Sequence, residues 1–210
     1  MTLVRHSLNP RTAEASDAPA ILTCQREALR HLARTSYAGC RLMEWADRLT
    51  ESDLLAAIER HQVHVLEDEE SIAAFAELDE SDGHIPALFV HPRAFRRGFG
   101  TALMETMQRH ADGLGLRELT VSAATDAVPF YERQGFTAAP ERLIHFPDGI
   151  SLTYIPMRKE LARAPYSAAF MPVTGAPWFA WSPFGLSFFP SASFAWTSRS
   201  PLHSSVRSVT

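Results

Sequence analysis

Ala87-Leu-Phe-Val-His-Pro-Arg-Ala-Phe-Arg-Arg-Gly-Phe-Gly-Thr101 is the stretch that most constrains the fold and the chemistry of this chain. It begins as an apolar strand, passes through a basic turn with two glycines, and continues into a helix with apolar residues at helical spacing from Leu103 to Leu114. The first N–H groups of a helix have no intrahelical partner and carry partial positive charge. The stretch therefore predicts an anion site, with phosphate as the expected ligand.

The glycines and arginines of this turn each have a use if a phosphorylated ligand lies across it. Gly98 and Gly100 let the backbone come close to phosphate oxygens, and Arg96 and Arg97 add charged donors. A P-loop requires a lysine directly after its last glycine, whereas Thr101 stands there, and a dinucleotide fingerprint requires a third glycine that this turn lacks. Taken alone, the turn is equally well explained as a tight bend on a basic surface.

A second motif lies downstream, from Leu119 to Phe136. Its alternating first residues predict a buried strand, Pro129 suits the first turn of a short helix, and Gly135 ends that helix. Tyr131 lies inside the helix, in Pro-Phe-Tyr-Glu-Arg-Gln-Gly-Phe.

Together the two motifs resemble the GNAT N-acetyltransferase superfamily. The first is similar to its acyl-CoA pyrophosphate motif and the second to its tyrosine-bearing motif after strand five, in the family's order and at a family-like separation. The resemblance implies an α/β fold with a mixed, mostly antiparallel central sheet flanked by helices. It also implies direct transfer of an acetyl group from acetyl-CoA to a primary amine of a small molecule or protein. The cofactor-binding residues that it implies are Leu88, Phe89, Val90, Arg96, Arg97, Gly98, Phe99, Gly100, Thr101, Ser122 and Tyr131.

The resemblance also implies three catalytic tasks. A free backbone N–H near Phe89 or Val90 polarises the thioester carbonyl, and Tyr131 protonates the departing thiolate. Glu77 and His84 are the candidate bases for an ammonium acceptor. The residues leave plainer alternatives open, since Tyr131 could only pack in the core, Glu77 could face outward and His84 could be a solvated strand end.

Four positions depart from the family pattern. Phe95 stands where the family usually has Arg or Gln, and Arg96 stands where glycine is frequent, so Arg96 is expected to take over part of the phosphate contact. Ser122 replaces a frequent asparagine after strand five. Pro86 stands where an acidic residue is often found in strand four, which leaves the identity of the base open.

The sequence pattern of the rest of the domain predicts helices and strands that alternate around that sheet. Residues 63–67, 71–78 and 84–90 alternate or run apolar with turn residues between them, which predicts an antiparallel meander. Thr50 with Asp53 predicts a capped helix start. Residues 136–157 predict a hairpin, and the domain is expected to close at residue 161.

Residues 162–210 are of a different composition, rich in Pro, Ser and aromatic residues without periodicity. Three interpretations stay open for this tail: a poorly ordered extension, an altered reading frame included; a segment packed on the domain or a partner; or an anchor at a membrane interface. The family resemblance does not extend to it.

Composition limits the remaining function classes. The chain carries a net charge of −4, and three arginines are the only charged residues of the tail, so residues 1–161 carry −7. An acidic body argues against a nucleic-acid partner and favours a cationic amine acceptor. The two cysteines form no disulfide framework or zinc pattern, and no apolar run reaches membrane-spanning length, so we expect a cytoplasmic protein with no metal. Oligomeric state is left open, a homodimer included.

Two other function classes compete with an enzyme. A CoA-binding regulatory or interaction module with a degenerate acceptor site is suggested by Pro86 and the aromatic tail. An assembly protein that uses the tail and binds no cofactor is the third. Calorimetric titration with CoA separates the last from the other two.

Overall fold

The computed structural model describes residues 8–35, 39–145 and 151–161. Its helices are α1 (Ala18–Thr35), α2 (Gly39–Arg48), α3 (Glu51–Arg60), α4 (Phe99–Gly113) and α5 (Val128–Arg133). Its strands are β1 (Arg11–Thr12), β2 (Gln62–Glu67), β3 (Ile72–Asp79), β4 (His84–Val90), β5 (Glu118–Ala123), β6 (Thr137–Ala138), β7 (Arg142–His145) and β8 (Ser151–Glu160).

The strands form one mixed sheet in the order β1-β2-β3-β4-β5-β8-β6, and β7 pairs with β8 beside it. Within the described residues, β4 and β5 are the parallel pair and every other pairing is antiparallel. The predicted meander is β2-β3-β4, and the predicted hairpin is β7-β8, whose connecting residues 146–150 lie outside the described part. The expected α/β class with a mostly antiparallel sheet is confirmed.

Helices cover the sheet on two sides, which we call the α1 face and the α4 face. On the α1 face, Phe75 and Ala87 pack with residues of α1 and α3, among them Ile21 and Leu54. On the α4 face, the apolar stripe of α4 packs on β3, β4 and β5 together with Tyr131. Strand side chains alternate, so Phe75 and Ala76 of β3 lie on different faces, and the side chains from Ala87 to Val90 of β4 alternate between the two faces.

Local signals place several helix ends as the sequence predicts. Thr50 and Asp53 form the reciprocal capping box of α3, since each side chain bonds the other's backbone N–H. Gly98 is the N-cap of α4 in a left-handed conformation, with φ of 88°. The tail from residue 162 onward lies outside the described residues.

Candidate active site

The sheet opens between β4 and β5. The two strands pair through His84 with Thr120 and Ile85 with Val121, and the described pairing goes no further. On its other edge β4 places four residues, His84 to Ala87, against three of β3, Glu77 to Asp79, so β4 carries a bulge. Ile85 packs on the α4 face and Ala87 on the α1 face although they are two residues apart, which locates the bulge around Pro86. A cleft thus begins at Pro86 and widens toward Val90.

Backbone groups of β4 face this cleft. The N–H of His91 donates to the carbonyl of Ala73 at 2.8 Å, on the β3 side. Donors alternate along an antiparallel strand, so the N–H of Phe89 also faces β3, and those of Leu88 and Val90 face the cleft. Of the two N–H groups expected from the sequence, that of Val90 is therefore directed toward the cleft and that of Phe89 toward β3, and the N–H of Leu88 is also directed toward the cleft.

The basic turn lies at the open end of the cleft and uses unusual backbone conformations. Arg96 has φ of 59° and is the non-glycine residue with positive φ in the described chain. It occupies the position where the family pattern has glycine. A left-handed conformation costs a non-glycine residue about 1–2 kcal/mol, and such strain is characteristic of functional sites.

The charged side chains of the turn divide into two groups. Arg93 is bound to Asp68, with Nε 2.9 Å from Oδ2 and Nη2 3.2 Å from Oδ1, and this pairing lowers the pKa of Asp68 to about 2. Arg97 is exposed, with its guanidinium 5.3 Å from the ring centre of Phe99 and 3.8 Å from Asp68. Arg96 is exposed as well. Arg93 thus anchors the turn to the β2–β3 connection, while Arg96 and Arg97 are left facing solvent.

The turn is packed directly against the second motif. A Cβ atom on Gly100 would lie 3.3 Å from Phe130 of α5 and 3.6 Å from Val90 of β4. Glycine at this position therefore brings the start of α4 close to both elements, in addition to any close approach of phosphate. The side-chain amide of Gln134 also donates weakly to the Thr101 hydroxyl, at 3.5 Å.

Tyr131 is buried beside this contact. Its ring lies edge-on to Phe130 and Phe136, with ring centres 5.1 and 5.5 Å apart. Burial raises the pKa of its hydroxyl. The phenol is therefore protonated throughout the physiological range, so it can donate a proton but not accept one from a substrate.

Phe95 stands where the family usually has Arg or Gln, and it packs against α1. Its side chain is 42% exposed, and its ring lies edge-on to His31 of α1 with centres 5.1 Å apart. The contact ties the turn to α1 through an apolar surface, so Phe95 supplies no charge to a phosphate.

The candidate bases lie together on the α1 face. Glu77 is 1% exposed and shares a hydrogen bond with Nδ1 of His61, the residue that follows α3. The His61 Nε2 lies 3.5 Å from Asp79, which pairs in register with His84. The imidazole of His84 bonds the Thr120 hydroxyl at 2.9 Å, where β4 and β5 part. The five side chains form a polar row from the end of α3 to the closed end of the cleft.

The carboxylate of Glu77 is incompletely satisfied. Its Oε2 is buried and has no hydrogen-bond partner in the structure. The hydrogen bond that His61 donates to Glu77 raises the pKa of His61, so the imidazole takes up a proton more readily than a free histidine. Glu77 therefore does not face outward, which was one of the alternatives left open by the sequence.

The sequence did not indicate His61, Asp79 or Arg93. One available signal was Glu77 itself, an acidic residue inside the apolar run of β3, since such a residue requires a buried partner. The register that places Gln62 opposite Leu78 then brings His61 beside Asp79.

The other candidate positions from the sequence lie outside the turn and the polar row. Ser122 is half-buried on β5 opposite Pro156, on the side away from the α4 core. Phe89 stacks on Phe75 under α1, with ring centres 5.6 Å apart. The family resemblance implies that the region between strands one and two shapes the acceptor pocket, which makes Tyr37, Met43 and Trp45 candidate contacts. Met43 is 37% exposed on α2, whereas Tyr37 and the side chain of Trp45 lie outside the described residues.

The described residues contain no group of three or more His, Cys, Asp and Glu side chains arranged to hold a metal ion. Among the described helices, none has the length and apolar character needed to cross a membrane.

Comparison with known proteins is consistent with this geometry. Residues 32–161 match the family model described as an acetyltransferase (GNAT) domain. A search of curated proteins found no significant match.

Several solved structures share the fold. A GCN5-related N-acetyltransferase from Rhodopseudomonas palustris is 24% identical, with a TM-score of 0.68 over 77% of this chain and 100% of that one. The ribosomal-protein-S18-alanine N-acetyltransferase of Escherichia coli is 22% identical, with a TM-score of 0.57 over 77% and 99%. The PaiA N-acetyltransferase of Thermoplasma acidophilum, solved with coenzyme A, is 16% identical, with a TM-score of 0.60 over 73% and 99%.

Proposed function

Because the chain belongs to the GNAT acetyltransferase family, we propose that it transfers an acetyl group from acetyl-CoA directly to a primary amine of a small molecule or protein. The observation that carries the proposal is the cleft that opens at Pro86 between β4 and β5, with the phosphate-type turn at its open end. Acetyl-CoA supplies the acetyl group as a thioester.

The residues of the turn suit the pyrophosphate of the cofactor. The N–H groups from Gly98 to Thr101 stand at the start of α4, where they have no intrahelical acceptor. Arg96 and Arg97, which directly precede these N–H groups in the sequence, add exposed positive charge. The backbone carries most of this site, since Phe95 contributes no charge and Arg93 is occupied by Asp68.

The cleft suits the pantetheine arm and the thioester. The N–H groups of Leu88 and Val90 face it and can donate to the thioester oxygen as that oxygen gains negative charge. Ser122 lies across the cleft on β5, where its hydroxyl can bind the arm. Phe89 shapes the α1 side of the cleft through its ring rather than its N–H.

Tyr131 is proposed as the general acid. An alkyl thiol titrates near 8.5 and a phenol near 10, and burial raises the pKa of Tyr131 further. The hydroxyl therefore keeps its proton until the sulfur begins to leave, and then donates or shares it. Its contact with Phe130, which packs on Gly100, fixes it relative to the turn.

Glu77 and His84 are proposed as the groups that take the proton of the ammonium acceptor. His84 stands at the closed end of the cleft, where it can act directly or through water. Glu77 offers its unpaired Oε2, and its bond to His61 provides a path to a side chain that is 17% exposed. This arrangement replaces the strand-four acid of the family pattern, whose position is Pro86.

A CoA-binding module without catalysis is the second candidate, and Pro86 is the observation that favours it. Pro86 places no acid at the bulge, so the acceptor site is degenerate if Glu77 and His84 do not substitute for it. This candidate predicts tight CoA binding without transfer to any amine.

We further propose that residues 1–161 are the catalytic domain, that the protein acts in the cytoplasm and that it binds no nucleic acid. The charge distribution and the two cysteines support the last two points. The residues matched by the family model end at the same boundary.

The test is an amine screen that follows thiol release from acetyl-CoA, run on the full chain and on a chain ending at Leu161. We expect turnover with at least one primary amine in both, because every proposed site residue precedes residue 161. Tight CoA binding with no turnover across the panel would support the binding module and overturn the enzyme. Activity confined to the full chain would overturn the domain boundary.

A further inference from the structure

Lys159, near the end of β8, is a half-buried cation that the mechanism above does not use. Its ammonium donates to Oε1 of Gln108 at 2.6 Å and to the carbonyl of Gln134 at 2.7 Å, and we call these two hydrogen bonds the Lys159 clamp. Gln108 lies on α4, and Gln134 is the C-cap residue of α5. One side chain of the sheet therefore joins the helix that begins at the cofactor turn to the helix that carries Tyr131.

The chemistry of the Lys159 clamp suits lysine rather than arginine. Lys159 is the single lysine among the 20 lysine and arginine residues of the chain, and both acceptors of the clamp are neutral oxygen atoms. A compact ammonium can direct its donors to two separate oxygens, whereas a guanidinium presents a planar fork that matches a carboxylate. The lysine stem also lies across Gly135, where a Cβ atom would be 3.5 Å from Cε and 3.7 Å from Nζ. The ammonium is thus closely fitted between the two helices.

Helix α5 depends on contacts of this kind because it is short. It has six residues, and a helix of that length is not stable without tertiary contacts. At its start, Ala127 provides no side-chain cap, and Pro129 lies in the first turn, where its missing N–H causes no loss. At its other end, the ammonium of Lys159 places a positive charge where the helix dipole is negative. Lys159 therefore stabilises the end of α5 that follows Tyr131.

Backbone hydrogen bonds connect the Lys159 clamp to Tyr131. The carbonyl of Tyr131 accepts from the N–H groups of Gln134 and Phe136, each at 3.0 Å. Gln134 thus bonds Lys159 through its carbonyl and Tyr131 through its N–H, while its side-chain amide reaches the Thr101 hydroxyl of the cofactor turn at 3.5 Å. The placement of Tyr131 relative to the turn therefore depends on how Gln134 is held.

We propose that Lys159 is a positioning residue for Tyr131, and that the Lys159 clamp holds the Tyr131 hydroxyl within hydrogen-bond distance of the sulfur of bound acetyl-CoA. Transfer of the phenol proton to the leaving sulfur needs that distance, and a displacement of about 1 Å costs about 100-fold in rate. Loss of the clamp lowers turnover more than cofactor affinity, because the N–H groups proposed for the pyrophosphate belong to α4. This inference rests on the proposed role of Tyr131 as general acid and specifies what holds that acid in place.

The test replaces Lys159 in two backgrounds of the full chain and follows thiol release from acetyl-CoA with an amine accepted by the wild type. Lys159→Met keeps the stem but removes both hydrogen bonds, and we expect kcat to fall by about 10-fold to 100-fold. The KM for the amine and the Kd for acetyl-CoA, the latter from calorimetric titration, should stay within about threefold of wild type. In Tyr131→Phe the same replacement should cause no further loss of kcat, because no phenol remains to be positioned. A merely structural lysine would have the same effect on kcat in both backgrounds.

Gln108→Leu removes one bond of the clamp from the other side, and it serves if Lys159→Met does not fold. It should lower kcat by a smaller factor, again only where Tyr131 is present. Leu161→Ala, at a buried residue two positions further along the chain, is the control for lost stability and should lower Tm with little change in kcat.

The outcomes separate this inference from the proposed function. An unchanged kcat in the folded clamp variant, or an equal loss with and without the Tyr131 hydroxyl, overturns the inference alone. Normal turnover in Tyr131→Phe overturns the general-acid role and this inference with it, while acetyl transfer stands. Absence of transfer from the wild type to any amine overturns the proposed function and the inference together.

Discussion

The two ends of the cleft are built in different ways. The proposed cofactor end is continuous in sequence, since the β4 strand, the turn and the start of α4 occupy residues 84–101. We propose that it binds mainly through the backbone. The proposed acceptor end is assembled from side chains of β3, β4 and β5 and from His61, positions that are distant in sequence. A backbone site tolerates changes of side chain such as Phe95 and Arg96, whereas a side-chain site changes its chemistry with each substitution.

Because of this difference, we expect acetyl-CoA binding and turnover to be altered by different sets of variants. Variants of the turn should change the affinity for acetyl-CoA, and variants of the α1 face should change turnover or acceptor choice while acetyl-CoA still binds. Tyr131 is the intermediate case, because α5 packs on the turn through Phe130, whereas the Tyr131 hydroxyl is proposed to protonate the leaving group.

The largest effect is expected at Tyr131. Tyr131→Phe should lower kcat by about 10²–10⁴, the usual contribution of a general acid, while the Kd for acetyl-CoA is unchanged. Steady-state thiol release and calorimetric titration measure the two quantities. Tyr154→Phe, at another buried tyrosine on β8, is the matched control. Equal turnover in Tyr131→Phe and wild type would remove Tyr131 from the mechanism.

Glu77 should have the next largest effect. Glu77→Gln keeps the shape of the side chain but removes the base, and we expect kcat to fall by about 10²-fold with little change in acetyl-CoA affinity. Glu80→Gln, which alters a carboxylate bonded to His110 of α4, should leave turnover near wild type. A large loss in Glu80→Gln, or none in Glu77→Gln, would mean that the polar row is not the acceptor side.

A smaller effect is expected at Arg96, in the proposed cofactor end of the cleft. Arg96→Gly should raise the free energy of unfolding by about 1 kcal/mol, because it relieves the positive φ, and weaken acetyl-CoA binding by about threefold to tenfold. Arg96→Asn also tolerates this conformation and lacks the charge, so both variants should lose affinity equally. Chemical denaturation and titration give the values, and unchanged affinity in both would restrict the phosphate contact to the backbone and Arg97.

The smallest effect concerns pH and stability. The Glu77 hydrogen bond raises the pKa of His61 above its ordinary 6.5, so the charged pair stabilises the fold fully below pH 6.5 and less as pH rises through the raised value. We expect wild type to gain about 1 kcal/mol over Glu77→Gln at low pH, and this advantage to shrink on going to alkaline pH. Calorimetry from pH 5.5 to 8.5 measures it, and an advantage that grows with pH would contradict the pairing.

Much of the fold could be predicted because its signals are local. The β4-turn-α4 stretch, the capping box of Thr50 and Asp53 and the β2-β3-β4 meander each depend on residues close in sequence, and the structure confirms them. The resemblance to the GNAT family rests on two motifs of this kind and is confirmed by the family match.

The residues proposed for the acceptor side could be predicted only in part, because strand register and packing bring them together from distant parts of the sequence. Glu77 and His84 could be selected as titratable residues, but their connection through His61 and Asp79 depends on how β2, β3 and β4 align. The bulge at Pro86 moves the side chains that follow it to the other face of the sheet. It also turns the backbone N–H of Val90, rather than that of Phe89, toward the cleft. Single-sequence patterns do not fix such one-residue shifts.

We propose that acetyl-CoA lies across the turn and in the cleft, with the acceptor chemistry on the α1 face. Calorimetric titration of acetyl-CoA into Gly100→Leu and Glu77→Gln tests it most directly, with Gly113→Leu as the control at an open position of the same helix. We predict that folded Gly100→Leu loses binding by at least about 100-fold, because its side chain meets Phe130 and displaces the start of α4. Glu77→Gln and Gly113→Leu should bind as wild type does. Normal binding by Gly100→Leu, or lost binding by Glu77→Gln, would contradict the account.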